Sequence, residues 1–241
     1  MKKLLRHKLK QRIFNLTLAV IGLAACLGCG DDEYELPKEY RESYISCYYP
    51  ITGLNLYPPT VKSMSGPLDF SWQFETEWGN ILFYSLDGRY RELAERNGDT
   101  GYDRYVITDP AFNSTRIEVY DRNFESVEVF CRQWDWDEQH PVGSSLDDIA
   151  TITLTGVSRY VYYDYDPEIE QYRKVRKRPS ELTREDLSMI CNSNYSLYVE
   201  RPAEKGVYML ELIFTDTEGE TFSKKLLFNY KAESGTSGPG M

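Results

Sequence analysis

Histidine is almost missing from this chain of 241 residues: there are two, His7 and His140. His7 lies in a basic leading segment, so imidazole chemistry in the body of the protein would have to use His140, in the loop-like run "DEQHPVGSS". A nucleophile–imidazole pair needs its nucleophile presented to the ring. Cys131, nine residues upstream, has no such context, and neither G-x-S-x-G nor H-E-x-x-H occurs. His140 therefore reads as a surface loop residue. G-x-G-x-x-G and G-x-x-x-x-G-K-[ST] are absent as well, so no nucleotide cofactor is indicated. Long apolar runs are lacking too. The longest, Ile13 to Ala25, is thirteen residues, well under the ~20 that an α-helix needs to span a bilayer.

That short apolar run follows "MKKLLRHKLKQR", six Lys/Arg without an acid, which is the n-region and h-region pattern of an export signal. What comes next, "LAACLGCGDDE" from Leu23 to Glu33, brings small residues up to cysteine twice. This resembles the bacterial lipobox, in which the cysteine is lipidated and becomes the new N-terminus. Cys26 has the better upstream match. Cys29 has the better downstream context, because it sets Asp31, Asp32 and Glu33 beside the anchor, similar to the surface-export signal of Bacteroidota lipoproteins. The resemblance implies lipidation at Cys29, with Cys26 as the alternative. It also implies an outer-membrane lipoprotein exposed at the cell surface and held to the membrane through its lipid. Residues 1–28 are then a signal peptide, 29–43 a flexible acidic tether, 44–231 one β-sandwich domain and 232–241 a disordered tail.

Losing the six leading bases leaves 22 Lys/Arg against 38 Asp/Glu, a net charge of −16. A balance that acidic excludes nucleic acid as a partner, since such binding depends on neutralising phosphates. The one basic cluster, "YRKVRKRPS" from Tyr172 to Ser180, reads as a solvated loop or strand edge. With Cys29 lipidated, Cys47, Cys131 and Cys191 remain, which allows one disulfide and a thiol or three buried thiols. Their spacing supports no metal site.

Beyond the tether the pattern is β. Period-2 alternation runs through "LDFSWQFET", "TRIEVYD", "ESVEVFCRQW", "DIATITLTGV", "SRYVYYDY" and "SLYVE", and "SYISCYYPI" reads as a first strand ended by Pro50. The segment "GVYMLELIFTDTEGETFSKKLLFNY" reads as two strands around Asp216-Thr217-Glu218-Gly219, where the glycine supplies the positive φ of a tight hairpin. Helix is expected in two places only. "SELTREDLSMICN" spaces Thr183 and Asp186 as a capping box, and "DGRYRELAERNG" sets helix formers between glycines. The expected fold is mainly β: an antiparallel β-sandwich, immunoglobulin-like or transthyretin-like, with one or two short helices.

Candidate binding residues are few. Trp134 and Trp136 flank Asp135 in "QWDWDEQ", and alternation would place both rings on one face as a glycan platform. In "DYDPEIE", Asp164, Asp166 and Glu168 alternate as oxygen ligands for Ca²⁺ would, although the glycine of an EF-hand loop is absent. Otherwise no cofactor is indicated. "PVGSSLDDI" between two strands and the late "LYVERP…YMLELIFTDTEGETF" are similar to small Bacteroidota lipoproteins that have no assigned activity. That likeness implies location and a β fold and carries no site residues. The expectation is a non-catalytic binding or structural module meeting a glycan or protein at the cell surface. The alternatives are a carbohydrate-active accessory protein, either glycan binder or carboxylate-based hydrolase, and an adhesin-type subunit.

Overall fold

The computed structural model describes residues 45–60, 66–83, 88–99, 117–166 and 168–231. Cys26, Cys29, the tether and the tail lie outside the described residues. Among the described residues the chain forms eleven strands: β1 (Cys47–Tyr49), β2 (Ile51–Leu56), β3 (Leu68–Thr76), β4 (Leu82–Phe83), β5 (Glu118–Tyr120), β6 (Phe124–Gln133), β7 (Ala150–Gly156), β8 (Arg173–Lys177), β9 (Tyr195–Val199), β10 (Gly206–Asp216) and β11 (Thr221–Tyr230). Two helices accompany them, α1 (Gly88–Arg96) and α2 (Ser158–Tyr162).

Five strands in the order β2-β3-β9-β7-β8 make one antiparallel sheet, and β11-β10-β6 make a second. Their apolar faces close on one another as a β-sandwich. Trp72 and Phe74 of β3 meet Phe214 of β10 at ring-centroid distances of 4.8 and 4.9 Å, and Phe70 meets Phe228 of β11 at 5.1 Å. Offset and edge-on ring contacts of this kind add to the large apolar area each aromatic buries. The β10–β11 hairpin turns where the sequence predicts, with Gly219 at φ 86°.

A third sheet, β4-β1-β5, pairs β1 antiparallel to β4 and parallel to β5. Its central strand β1 is buried on both faces, which explains the unbroken apolar run Cys47–Tyr49. Cys47, Tyr49 and Tyr120 face the sandwich core. Tyr48 and Val119 face a second, smaller core closed by Tyr90, Leu93 and Ala94 of α1 and by Val157 and Val161 beside α2. Pro50 ends the first strand where the sequence predicts, because it offers no N–H to continue the ladder, and β2 begins beyond it in another sheet.

Two local expectations change. "SRYVYYDY" is not a strand: Val157 and Val161, four residues apart, both fall in the second core, so Ser158–Tyr162 winds as a helix. "SELTREDLSMICN" keeps its capping pair, with Thr183 N donating to Asp186 Oδ2 at 2.9 Å and Asp186 N to Thr183 Oγ1 at 3.2 Å. It winds no further than a 3₁₀ turn at Pro179–Glu181 and the turns that follow. The Asp186 carboxylate is engaged from β8, by Lys177 at 2.6 Å and Arg173 at 3.2 Å, and Met189 at φ 49° turns the chain away. Tertiary ion pairs outweigh a helix propensity that amounts to tenths of a kcal/mol per residue.

Candidate functional site

The two tryptophans do not share a face. β6 ends at Gln133, and Trp134 takes φ 62°, which breaks the alternation between positions 134 and 136. Trp134 is left 63% exposed, whereas Trp136 is 0% exposed. The Trp136 indole N–H donates to the Glu200 carbonyl at 2.9 Å, and its ring packs on Tyr208 at 5.4 Å and Phe228 at 6.1 Å. Trp136 is a core residue, so the two rings do not form one platform, and of the pair Trp134 alone is exposed.

The proposed calcium ligands do not converge. Asp164 sits at φ 52° in the turn after α2, and Asp166 Oδ1 accepts from the Glu168 backbone N–H at 2.9 Å, closing a local turn. Among the described residues no group of three or more His, Cys, Asp or Glu side chains is placed to hold a metal ion. Asp164, Asp166 and Glu168 make no such group. Cys47, Cys131 and Cys191 are all buried as thiols. Burial pushes the Cys131 thiol up and the Cys191 thiol up to about 12, which keeps both protonated and poorly nucleophilic.

His140 is buried, not a surface residue. Its ring bridges two carboxylates, with Nδ1 2.7 Å from Asp137 Oδ1 and Nε2 2.9 Å from Asp148 Oδ1. Burial opposes a charge on the ring, but the hydrogen bonds to Asp148 and Asp137 outweigh it, and the imidazole is held above its ordinary range. As imidazolium it donates from both nitrogens and clasps the loop between β6 and β7. Both ring nitrogens are thus engaged, which leaves neither to activate a nucleophile.

A cleft of about 630 Å³ opens elsewhere, beside the second core. That volume falls within the ~300–1,000 Å³ typical of small-ligand sites. Helix α2 supplies one wall. Because the helix ends at Tyr162, Tyr162 and Tyr163 leave the core side by side, 81% and 49% exposed, with their rings edge to face at 5.2 Å. The Arg159 guanidinium lies 5.8 Å from the Tyr163 ring. Opposite, Asn97 follows α1 and Asn123 precedes β6. Asn123 donates to Asn97 Oδ1 at 2.7 Å and accepts from Met189 N at 3.0 Å, so both amides are fixed. Arg96 is held by Glu218 Oε1 at 2.8 Å and the Asp121 carbonyl at 3.0 Å, and Glu185 by Arg173 at 2.5 Å. The result is two exposed aromatic rings facing planar amide, guanidinium and carboxylate groups that packing has already oriented.

Sequence reasoning missed this cleft. Tyr162-Tyr163 reads as alternating strand positions, Asn97 lies in the run read as a helix, and Asn123 is not singled out by any pattern. The available signal was two adjacent tyrosines at the end of a segment with apolar residues four apart. Comparison with protein-family models, with curated proteins and with solved structures finds no match.

Proposed function

We propose that this protein is a lipid-anchored, cell-surface, non-catalytic binding module whose ligand, a neutral saccharide chain, is taken in the Tyr162–Tyr163 cleft. The observation that carries the ligand is the pairing of exposed rings with pre-oriented planar polar groups. A pyranose offers an apolar C–H face to an aromatic ring, and vicinal hydroxyls offer paired donors and acceptors to amides, guanidinium and carboxylate. Aromatic side chains with two torsions provide that contact area at low entropic cost. The anchor is supported by the lipobox resemblance and the acidic run Asp31–Glu33.

The mature N-terminal peptide is expected to begin at lipidated Cys29 by mass spectrometry; one beginning at Cys26 moves the anchor three residues upstream. For the cleft, the mature chain in detergent is screened on a neutral-glycan array and hits are titrated by calorimetry. Tyr162→Ala is expected to weaken the affinity at least tenfold, about 1.4 kcal/mol, with an unchanged melting point, because the ring is solvent-exposed. Trp134→Ala is expected to leave the affinity within twofold. A hit that survives Tyr162→Ala and is lost with Trp134→Ala places the ligand outside the cleft.

A further inference from the structure

The basic cluster Tyr172–Ser180 divides in the structure. Its inward members are consumed: Val175 enters the core, while Arg173 and Lys177 hold Glu185 and Asp186. Its outward members stand on the solvent face of the five-stranded sheet. There Arg176 and Arg178 line a second cleft of about 480 Å³ together with Arg201, Thr151, Tyr198 and Asp148.

Strand register builds this arrangement. Thr151 of β7 is opposite Tyr198 of β9, and Thr153 is opposite Arg176 of β8, so Arg176 reaches Tyr198 diagonally across β7. Its guanidinium carbon lies 4.6 Å from the Tyr198 ring centroid. Stacking of this kind steadies a planar guanidinium fork at the cleft, and a fixed fork suits bidentate recognition of an oxyanion. Arg201 is steadied by donation from Nε to the Gly66 carbonyl at 2.7 Å. Of the two carboxylates at the cleft, Asp148 is held by its hydrogen bond with His140 Nε2 at 2.9 Å. Glu200 is the other. Three guanidinium groups and two carboxylates therefore line the cleft, in a chain whose mature part carries a net charge of −16.

We propose that this cleft is an oxyanion-binding site that takes the carboxylate of an acidic saccharide chain, such as a uronate. The guanidinium groups supply the charge, and the Thr151 hydroxyl supplies a neutral hydrogen bond for a neighbouring ring hydroxyl. An anionic lipid surface fits less well, because the protein's overall negative charge repels it and the site is concave rather than a projecting patch. The site is separate from the Tyr162–Tyr163 cleft and stands whether or not that cleft binds a neutral sugar.

The test is calorimetry on the mature chain in detergent with trigalacturonate, its methyl ester, inorganic phosphate and phosphatidylglycerol vesicles. Trigalacturonate is expected to bind and to weaken as salt rises, and its methyl ester is expected not to bind. Arg176→Gln and Arg178→Gln are each expected to lower the affinity at least tenfold. Arg176→Lys, which keeps the charge and loses the planar fork, is expected to lose most of the binding at an unchanged melting point. Lys224→Gln, on the other sheet, is expected to leave it unchanged. The proposal is overturned by the absence of trigalacturonate binding, by wild-type affinity in the two glutamine variants, or by binding confined to phosphate or to vesicles.

Discussion

Trp136→Ala is expected to destabilise the protein by about 3–5 kcal/mol, the range for deleting a large buried aromatic. The indole has no exposed surface and is enclosed by Tyr208 and Phe228. Its removal leaves a cavity between β10, β11 and the β6–β7 loop. It also strands the Glu200 carbonyl, which accepts the indole N–H at 2.9 Å. Melting is expected to drop by on the order of 10 °C, since each kcal/mol moves a chain of this size by roughly 2–4 °C. Trp134→Ala, two residues away, is expected to change stability by no more than about 0.5 kcal/mol, because its ring packs on solvent. Thermal unfolding of both variants is the check. Equal effects would mean that the two rings share one environment, as simple alternation along the sequence would have them.

The second large effect is a pH dependence centred on His140. A ring whose pKa is raised by folding contributes stability that is complete below its unfolded value near 6.5 and lost as pH climbs through the higher folded value. Asp137 and Asp148 act in the opposite sense. Burial works against the Asp137 charge, but hydrogen bonds from His140 and from the Gln139 and His140 backbone N–H groups hold its carboxyl below the ordinary range. The His140 hydrogen bond does the same for Asp148. Their contributions are present above the unfolded value of 3.8 and are lost on acidification through the folded values. The three-residue clasp is therefore complete between about pH 4 and pH 6.5. His140→Gln is expected to cost about 1–2 kcal/mol at pH 6. The Asp148 partner is well exposed, which keeps the figure at the low end for charge-assisted bonds. The difference between wild type and variant is expected to shrink as pH rises to 9. Urea unfolding across that range measures it, and parallel curves at all pH values would remove the clasp as a titrating element.

Much of the architecture was legible because β periodicity is a local property. The alternation of Phe70, Trp72 and Phe74, or of Ala150, Ile152 and Leu154, needs only one buried and one solvated face to be read. The hairpin at Gly219 was legible for the same reason: a positive φ is decided by four consecutive residues. The third sheet was harder, since strands buried on both faces lose their alternation, and Tyr48 and Tyr49 belong to different cores. The candidate sites were least legible. Their residues come from segments far apart in sequence, Asn97, Asn123 and Tyr162 in one cleft and Thr151, Arg176 and Arg201 in the other.

By itself, the sequence determined the mainly β composition, the hairpin register, the acidic charge balance and the scarcity of imidazole chemistry, all of which are set by neighbouring residues or by simple counts. Only the tertiary structure decided that Trp136 is core and Trp134 surface, that His140 is clasped between two carboxylates, and that the basic run splits into a buried clamp and an outward arginine cleft. Those outcomes depend on which distant strand or loop lies opposite each side chain. Burial and ion pairing across that distance are worth several kcal/mol, enough to override local preferences worth a few tenths.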